Sequence, residues 1–479
     1  MLPALGLLLF LSPSPSDSTP TCSATLALLG EQVRANYAGF ALELQGERLR
    51  QYSAMKAGVE QRAARTAGEG CFFVLRDFVG WFDDPHLFVF QSTRIDTAET
   101  RRRAASVERR GVTEEGARAY FARQGTRLDP IEGIWYDRGL RVAVLPDSGR
   151  GPGRFVAVLL ASDTTTWEPG AVRARIVRQP DGSYDIDLAG PNHAVRHLQG
   201  TIYRHVLLRM SPGIWGKEFP VPAADSGTLD PVDPHRPVLY GRNGTLVFAI
   251  PSHDGFRSVI DSMVAAHRAD LASADRLIID LRGNEGGGSA MTDALGPYVS
   301  LKTDRPTPFP LDKPMMLSSE RQIAYARRAF GPESSAFVRG LVARMEAHPG
   351  ELVPLNDPDA PASPPDPRDW VVESGPRAVG VLVDGGTVSA AEVVVLYALQ
   401  SPRATVFGEP TAGALDYQSV NIVPLSPDER RWYLGYGTVT RAPGLPVGGM
   451  RGKGIAPQVP LDLATLSDPV GHVEAALSM

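Results

Sequence analysis

"RAVGVLVDGGTVSAAEVVVLYALQ", Arg377 to Gln400, decides the fold of this chain. Its first third is a short apolar run of the kind that forms a buried strand. A Gly-Gly turn follows, and then a run of helix formers, so strand, turn and helix stand in direct succession. Ser389 lies at the junction, and Glu392 three residues later completes the pattern of a capping box. The same position at a helix start would hold a nucleophilic hydroxyl beside backbone N–H groups able to receive an oxyanion. Taken alone, the stretch favours the cap, because capping boxes are common and reactive serines are rare.

Working outward, the alternation continues on both sides. "TLVFAI" from Thr245 is strand-like, "FRSVIDSMVAAHRADLA" is helical, and "DRLIIDL" is a second buried strand that runs into "GNEGGGS". "ATVFGE" follows the Ser389 helix as a further strand. These units predict an α/β core over 245–479. The Pro/Asp-rich "PLNDPDAPASPPDPRD" between its halves is too polar for a core and predicts an exposed loop. Upstream, 111–244 is a set of short β-rich runs, among them "RFVAVLLAS" and "GTIYRHVLLRM", with an Asp-Gly hairpin signal in "QPDGSY". An antiparallel barrel or sandwich with a binding or spacer role is expected there. Residues 22–110 carry apolar residues at helical spacing, broken at "DDPHLFVFQ" by Pro85 and strand-like alternation. The whole reads as an α+β multidomain chain, which its 479 residues also require.

Bulk composition excludes several function classes. With 43% hydrophobic and 22% charged residues and a net charge of −5, nothing draws the chain to nucleic acid or an anionic membrane. The basic cluster "RRRAASVERR" from Arg101 reads as a solvated helix face. The apolar run Leu2–Leu11 is too short to span a bilayer, and with the Pro/Ser-rich break after it 1–21 resembles a signal peptide, although no Lys or Arg precedes Arg34. Export to a periplasmic or extracellular setting is the expectation. A bridge between the two cysteines, Cys22 and Cys71, would suit it.

The glycine loop "IIDLRGNEGGGS", Ile278 to Ser289, has neither a dinucleotide fingerprint nor a P-loop lysine. Exposed backbone N–H groups in an oxyanion hole are its other use. Asp280, Arg282 and Asn284 predict a hydrogen-bonded turn there.

At this point the residues carry a resemblance. "DLRGNEGGG", "VLVDGGTVSAAEVVVLYAL", "GEPTAGALDYQ" and "GKGIAPQVPL", in that order between Thr245 and Leu463, resemble the tail-specific (C-terminal processing) serine protease family. The resemblance implies a crotonase-like α/β (ββα) catalytic core, peptide-bond hydrolysis through Ser389, and no metal or cofactor. It makes the Ala390 amide and that of Gly286 or Gly287 the oxyanion donors. Many relatives use a lysine base at the position held here by Ala414, which cannot take a proton; Lys453 is the nearest substitute. The tricorn-core and retinoid-binding-repeat branch instead has a D-x-H segment, matched here by Asp84, Pro85 and His86. His86 is therefore the expected base, with His253 in reserve. That branch has a serine where this chain has Pro85 and a glutamate where it has Arg451. The orienting acid is left open between Asp84, Asp384 and Asp416, with Asp84 first. No PDZ-like stretch is present. The expected substrate is a peptide or unfolded protein tail; the alternative is a non-catalytic ligand- or peptide-binding protein on the same scaffold.

Overall fold

Strands inside a parallel sheet are covered on both faces and read as unbroken apolar runs. Thr245–Ala249, Arg276–Asp280, Ala378–Val383 and Ala404–Gly408 have that character and pair side by side in parallel. The computed structural model describes residues 21–91, 97–210, 213–288, 291–299, 314–329, 334–356, 375–425, 432–441, 444–446 and 448–478. In it these strands are the centre of a six-stranded sheet, with Val238–Arg242 antiparallel on one edge and Val459–Pro460 parallel on the other. Leu277 and Ile279 face the helix Ala390–Ala398 through Val394 and Val395. Ile278 and Leu382 point the other way, onto Val470 and Val473 of the helix Pro469–Ala476. The period-two alternation of the strands thus serves two cores at once.

The β-rich region closes completely. Eight antiparallel strands from Gly133–Asp137 to Gly213–Phe219 form a barrel around Trp135, Val144, Ile176 and Leu208. Closure removes the edges that an open sheet of this length would expose.

The amino-terminal helices Cys22–Asn36, Gly46–Ala63 and Gly70–Gly80 share one core with Tyr417, Leu434 and Tyr436. Those three belong to the antiparallel strands Tyr417–Pro424 and Trp432–Thr440. Phe88–Gln91, the strand-like segment after His86, pairs with Trp432–Thr440 as its neighbour on the other side. The start of the chain is therefore docked on strands that follow Ser389. Among the described residues no helix is long and apolar enough to cross a membrane. The expected leader and most of the Pro/Asp-rich insertion, from residue 357 on, lie outside the described residues.

Cys22 and Cys71 form a disulfide across 49 positions. Closing a loop of that length removes chain entropy equivalent to about 4 kcal/mol from the unfolded state. Reduction, or Cys71→Ser, is expected to lower the calorimetric unfolding temperature, with the loss centred on the amino-terminal helices in hydrogen exchange.

Candidate active site

Arg276–Asp280 and Ala378–Val383 are parallel neighbours, with Asp280 opposite Leu382. Their following loops therefore leave the sheet side by side, at the carboxyl ends where open α/β sheets bind ligands. The two loops are knitted together. Val388 N–H donates to Asn284 O (2.8 Å), Thr387 Oγ1 to Leu281 O (3.0 Å) and Gly283 N–H to Asp384 Oδ1 (2.9 Å). Asp384, which also accepts from Gly386 N–H, is thus a turn organiser and not an orienting acid for a histidine. Its burial pushes its carboxyl up to about 6.

Ser389 sits where the second loop enters the helix, with φ 56° and ψ −114°. A non-glycine residue in that region carries strain of about 1–3 kcal/mol, and such strain is characteristic of a nucleophile at a sharp strand-to-helix turn. Ser389 and Glu392 face each other as in a capping box, but the Ser389 hydroxyl makes no capping hydrogen bond. Glu392 N–H goes instead to Ser389 O at 2.9 Å. Glu392 itself is fully buried. Its carboxylate accepts from Ser389 N–H (2.8 Å), Thr411 Oγ1 (2.7 Å), Gly413 N–H (2.7 Å) and Ala414 N–H (2.8 Å). One carboxylate thus holds the strained serine and pins the 411–414 segment beside it. Burial raises its pKa against the pull of these four donors.

Gly286 must be a glycine. A side chain there would come within 2.9 Å of Ser389 Cβ and 3.0 Å of Ala390 N, and its φ is +83°. Its amide, expected as one of two possible oxyanion donors, is spent on Asn284 Oδ1 at 2.8 Å. The reason is local: an Asn two residues before a positive-φ glycine closes its own turn. Among the described residues the amides of Gly287 and Ala390 donate to no acceptor. His253 adjoins this loop through its own N–H to Gly286 O (3.1 Å). Its ring is buried with both nitrogens unpartnered, and burial pushes it down to about 3. It is a neutral neighbour and reaches neither side chain of the expected pair by a hydrogen bond.

His86 lies at the turn before the strand Phe88–Gln91, and among the described residues no hydrogen bond joins it to Ser389. Its Nδ1 lies 2.5 Å from Tyr417 O. A carbonyl only accepts, so Nδ1 carries the proton and Nε2 is the bare lone pair. Burial lowers the pKa of the ring, and the Tyr417 contact opposes that shift. Asp84 does not orient this ring. Its Oδ1 accepts the His86 backbone N–H (2.9 Å) and its Oδ2 accepts the Tyr37 hydroxyl (2.8 Å), because the turn at Pro85 folds the carboxylate back on its own chain. Asp416 is also engaged elsewhere, by Met450 N–H (2.9 Å) and Arg451 Nε (3.1 Å). The hydrogen-bond partner of the His86 ring is thus a backbone carbonyl, which no residue-type argument could have found. Ala414 is buried against Glu392, and Lys453 is exposed near Gly448.

Arg451, standing where an acid was expected, clamps three segments. It donates to Glu43 Oε2 (2.8 Å), Phe82 O (2.6 Å) and Asp416 Oδ2 (3.1 Å). The segments leading to His86 and to Tyr417 are thereby joined through one guanidinium. The barrel contributes as well. Arg209 donates to Gly386 O (2.7 Å) and Gly283 O (3.3 Å), and the Tyr203 ring packs against both glycines. This buttress was not legible in the sequence, where the β-rich region read as a binding or spacer unit.

Comparison with known proteins adds a family. Residues 327–460 match the family model described as Peptidase family S41, a stretch that contains Ser389 but neither His86 nor Gly286 and Gly287. No curated protein matches. Among solved structures, mature CPAF complexed with lactacystin is 14% identical over 95% of this chain and 98% of its own, with a TM-score of 0.45. A lipoprotein from Streptococcus agalactiae is 12% identical over 98% and 99%, at 0.40. The photosystem II D1 C-terminal processing protease is 14% identical over 96% and 98%, at 0.36. Likenesses this loose carry no argument about activity.

Two outcomes test the arrangement. Glu392→Ala leaves four buried donors without an acceptor and is expected to lower the unfolding free energy by roughly 3 kcal/mol or more in urea titration. Asp84 is pushed up to about 6, first by burial. A raised carboxylate contributes stability that is present below its unfolded pKa and lost as pH rises through the folded one. Wild-type stability relative to Asp84→Asn should therefore fall between about pH 4 and 6, by an amount on the order of 3 kcal/mol.

Proposed function

We propose that this chain, whose residues 327–460 match the family model of peptidase family S41, is a serine peptidase that cleaves peptide bonds with Ser389 as nucleophile and His86 as general base. The observation that supports this most is the Ser389 backbone, held at φ 56° where the strand-following turn enters the helix.

In this reading His86 Nε2 takes the Ser389 proton as Oγ attacks the substrate carbonyl. The resulting oxyanion is received by the Gly287 and Ala390 amides, at about 3 kcal/mol of barrier per donor. The imidazolium returns the proton to the departing amine, and water then hydrolyses the acyl-serine by the same path. Tyr417 O supports the imidazolium through the Nδ1–H, in the place usually held by a carboxylate. A neutral dipole stabilises the imidazolium less than a carboxylate would, so a modest turnover is expected. The substrate class is an exposed peptide or unfolded tail, since a scissile bond must lie extended across the crevice. The Cys22–Cys71 disulfide supports an exported setting.

A fluorophosphonate should label Ser389 covalently. Ser389→Ala should abolish the labelling, and His86→Ala should slow it by roughly a hundredfold or more. The rate should fall on the acid side with a midpoint below 6.5, the direction in which burial moves His86. Well-folded protein that fails to label, and that carries an apolar ligand through purification, would favour the non-catalytic alternative.

A further inference from the structure

One carboxylate and one guanidinium hold the same two glycines. Gly283 follows the strand Arg276–Asp280, and Gly386 follows Ala378–Val383. Both N–H groups donate to Asp384 Oδ1 at 2.9 Å. Both carbonyls accept from Arg209 Nη1, Gly386 O at 2.7 Å and Gly283 O at 3.3 Å. The glycines also meet each other: a Cβ on Gly386 would lie 2.8 Å from Gly283 Cα and 2.5 Å from the Tyr203 ring. Asp384 comes from the second loop itself, whereas Arg209 comes from the barrel.

The barrel register puts Arg209 there. Leu208 and Met210 of the strand Leu207–Met210 point into the barrel core, so Leu207 and Arg209 point outward. Thr201 pairs with Arg209 and Tyr203 with Leu207, which sets Tyr203 diagonally beside Arg209 on that outer face. The guanidinium carbon lies 5.2 Å from the Tyr203 ring centroid, a cation–π contact that orients it. Among the described residues no carboxylate pairs with Arg209, and its donors go to the two backbone carbonyls. Cohesion between barrel and core needs only apolar packing, which Leu207 already supplies against Gly283. A charged donor aimed at two carbonyls fixes a position instead.

Gly287 and Ala390, whose amides donate to no acceptor among the described residues, each stand at the fourth position after a clamped glycine. Between clamp and donors the loops are bonded once more, by Val388 N–H to Asn284 O at 2.8 Å. Gly286 then packs on Ser389 Cβ and Ala390 N. Both donor-bearing loops therefore start from the clamp side by side. We propose that Arg209 is a positioning residue for the reaction at Ser389: with Asp384 it sets the separation of the Gly287 and Ala390 amides, so that the barrel completes the oxyanion hole. This rests on the peptidase reading above. A donor displaced by about 1 Å loses most of its effect, on the order of a hundredfold in rate. Ground-state binding makes no such demand and is left unchanged.

Labelling by an alkyl fluorophosphonate tests this, because its phosphoryl oxygen takes the place of the oxyanion as Ser389 Oγ displaces fluoride. Rates measured across probe concentration separate the limiting rate from the half-saturating concentration, and the labelled fraction at completion reports how much protein is folded. Arg209→Met should lower the limiting rate by roughly tenfold to a hundredfold, with half-saturation within about threefold of wild type and labelling still running to completion. Arg209→Lys keeps a cation, but one ammonium on a shorter stem replaces a planar fork, so its limiting rate should fall between the two. A smaller labelled fraction at the wild-type rate assigns Arg209 to holding the fold and overturns the clamp. So does an unchanged limiting rate in Arg209→Met or, where that variant does not fold, in Arg209→Lys. Wild-type protein that never labels removes the peptidase reading itself, whereas wild-type labelling with an insensitive position 209 removes only the clamp.

Discussion

The arrangement depends on one guanidinium. Arg451 joins Glu43, Phe82 and Asp416, three segments that the chain itself keeps far apart. Phe82 leads into the His86 turn, and Asp416 precedes Tyr417, whose carbonyl receives the imidazole. Burying this cation is affordable because two carboxylates and a carbonyl surround it in the fork geometry that arginine offers. An acid at the same place would repel Glu43 and Asp416. The departure from the resembled family at position 451 thus goes with a His86 ring bonded to a backbone carbonyl.

A second centre, Glu392, performs the matching task for the serine. Its carboxylate holds Ser389 N–H and the 411–414 amides together. The segment that begins there reaches Tyr417 within a few residues. The two centres therefore meet along 411–417, and that stretch links the turn at Ser389 to the carbonyl that holds His86. Ala414, at the position where many members of the resembled family carry a lysine, is part of this link through its backbone N–H to Glu392.

The barrel braces these turns. Arg209 donates to the carbonyls of Gly283 and Gly386, and the Tyr203 ring packs on both glycines. A closed barrel suits this role, because all its strands are paired and few of its motions are soft.

Local patterns were enough to read the parallel core, the strand-turn-helix junction at Ser389, the glycine loop and the β-rich middle, since apolar periodicity and turn chemistry act over a few residues. The candidates Ser389, Ala390, Gly287 and His86 were legible through motif order. Which amide is already bonded, as at Gly286, depends on one side-chain rotamer of Asn284. That the third partner is Tyr417 O depends on docking the amino-terminal helices on strands over 300 residues later. Every residue has a carbonyl and most have an amide, so sequence cannot mark the ones that will act; only long-range packing selects them.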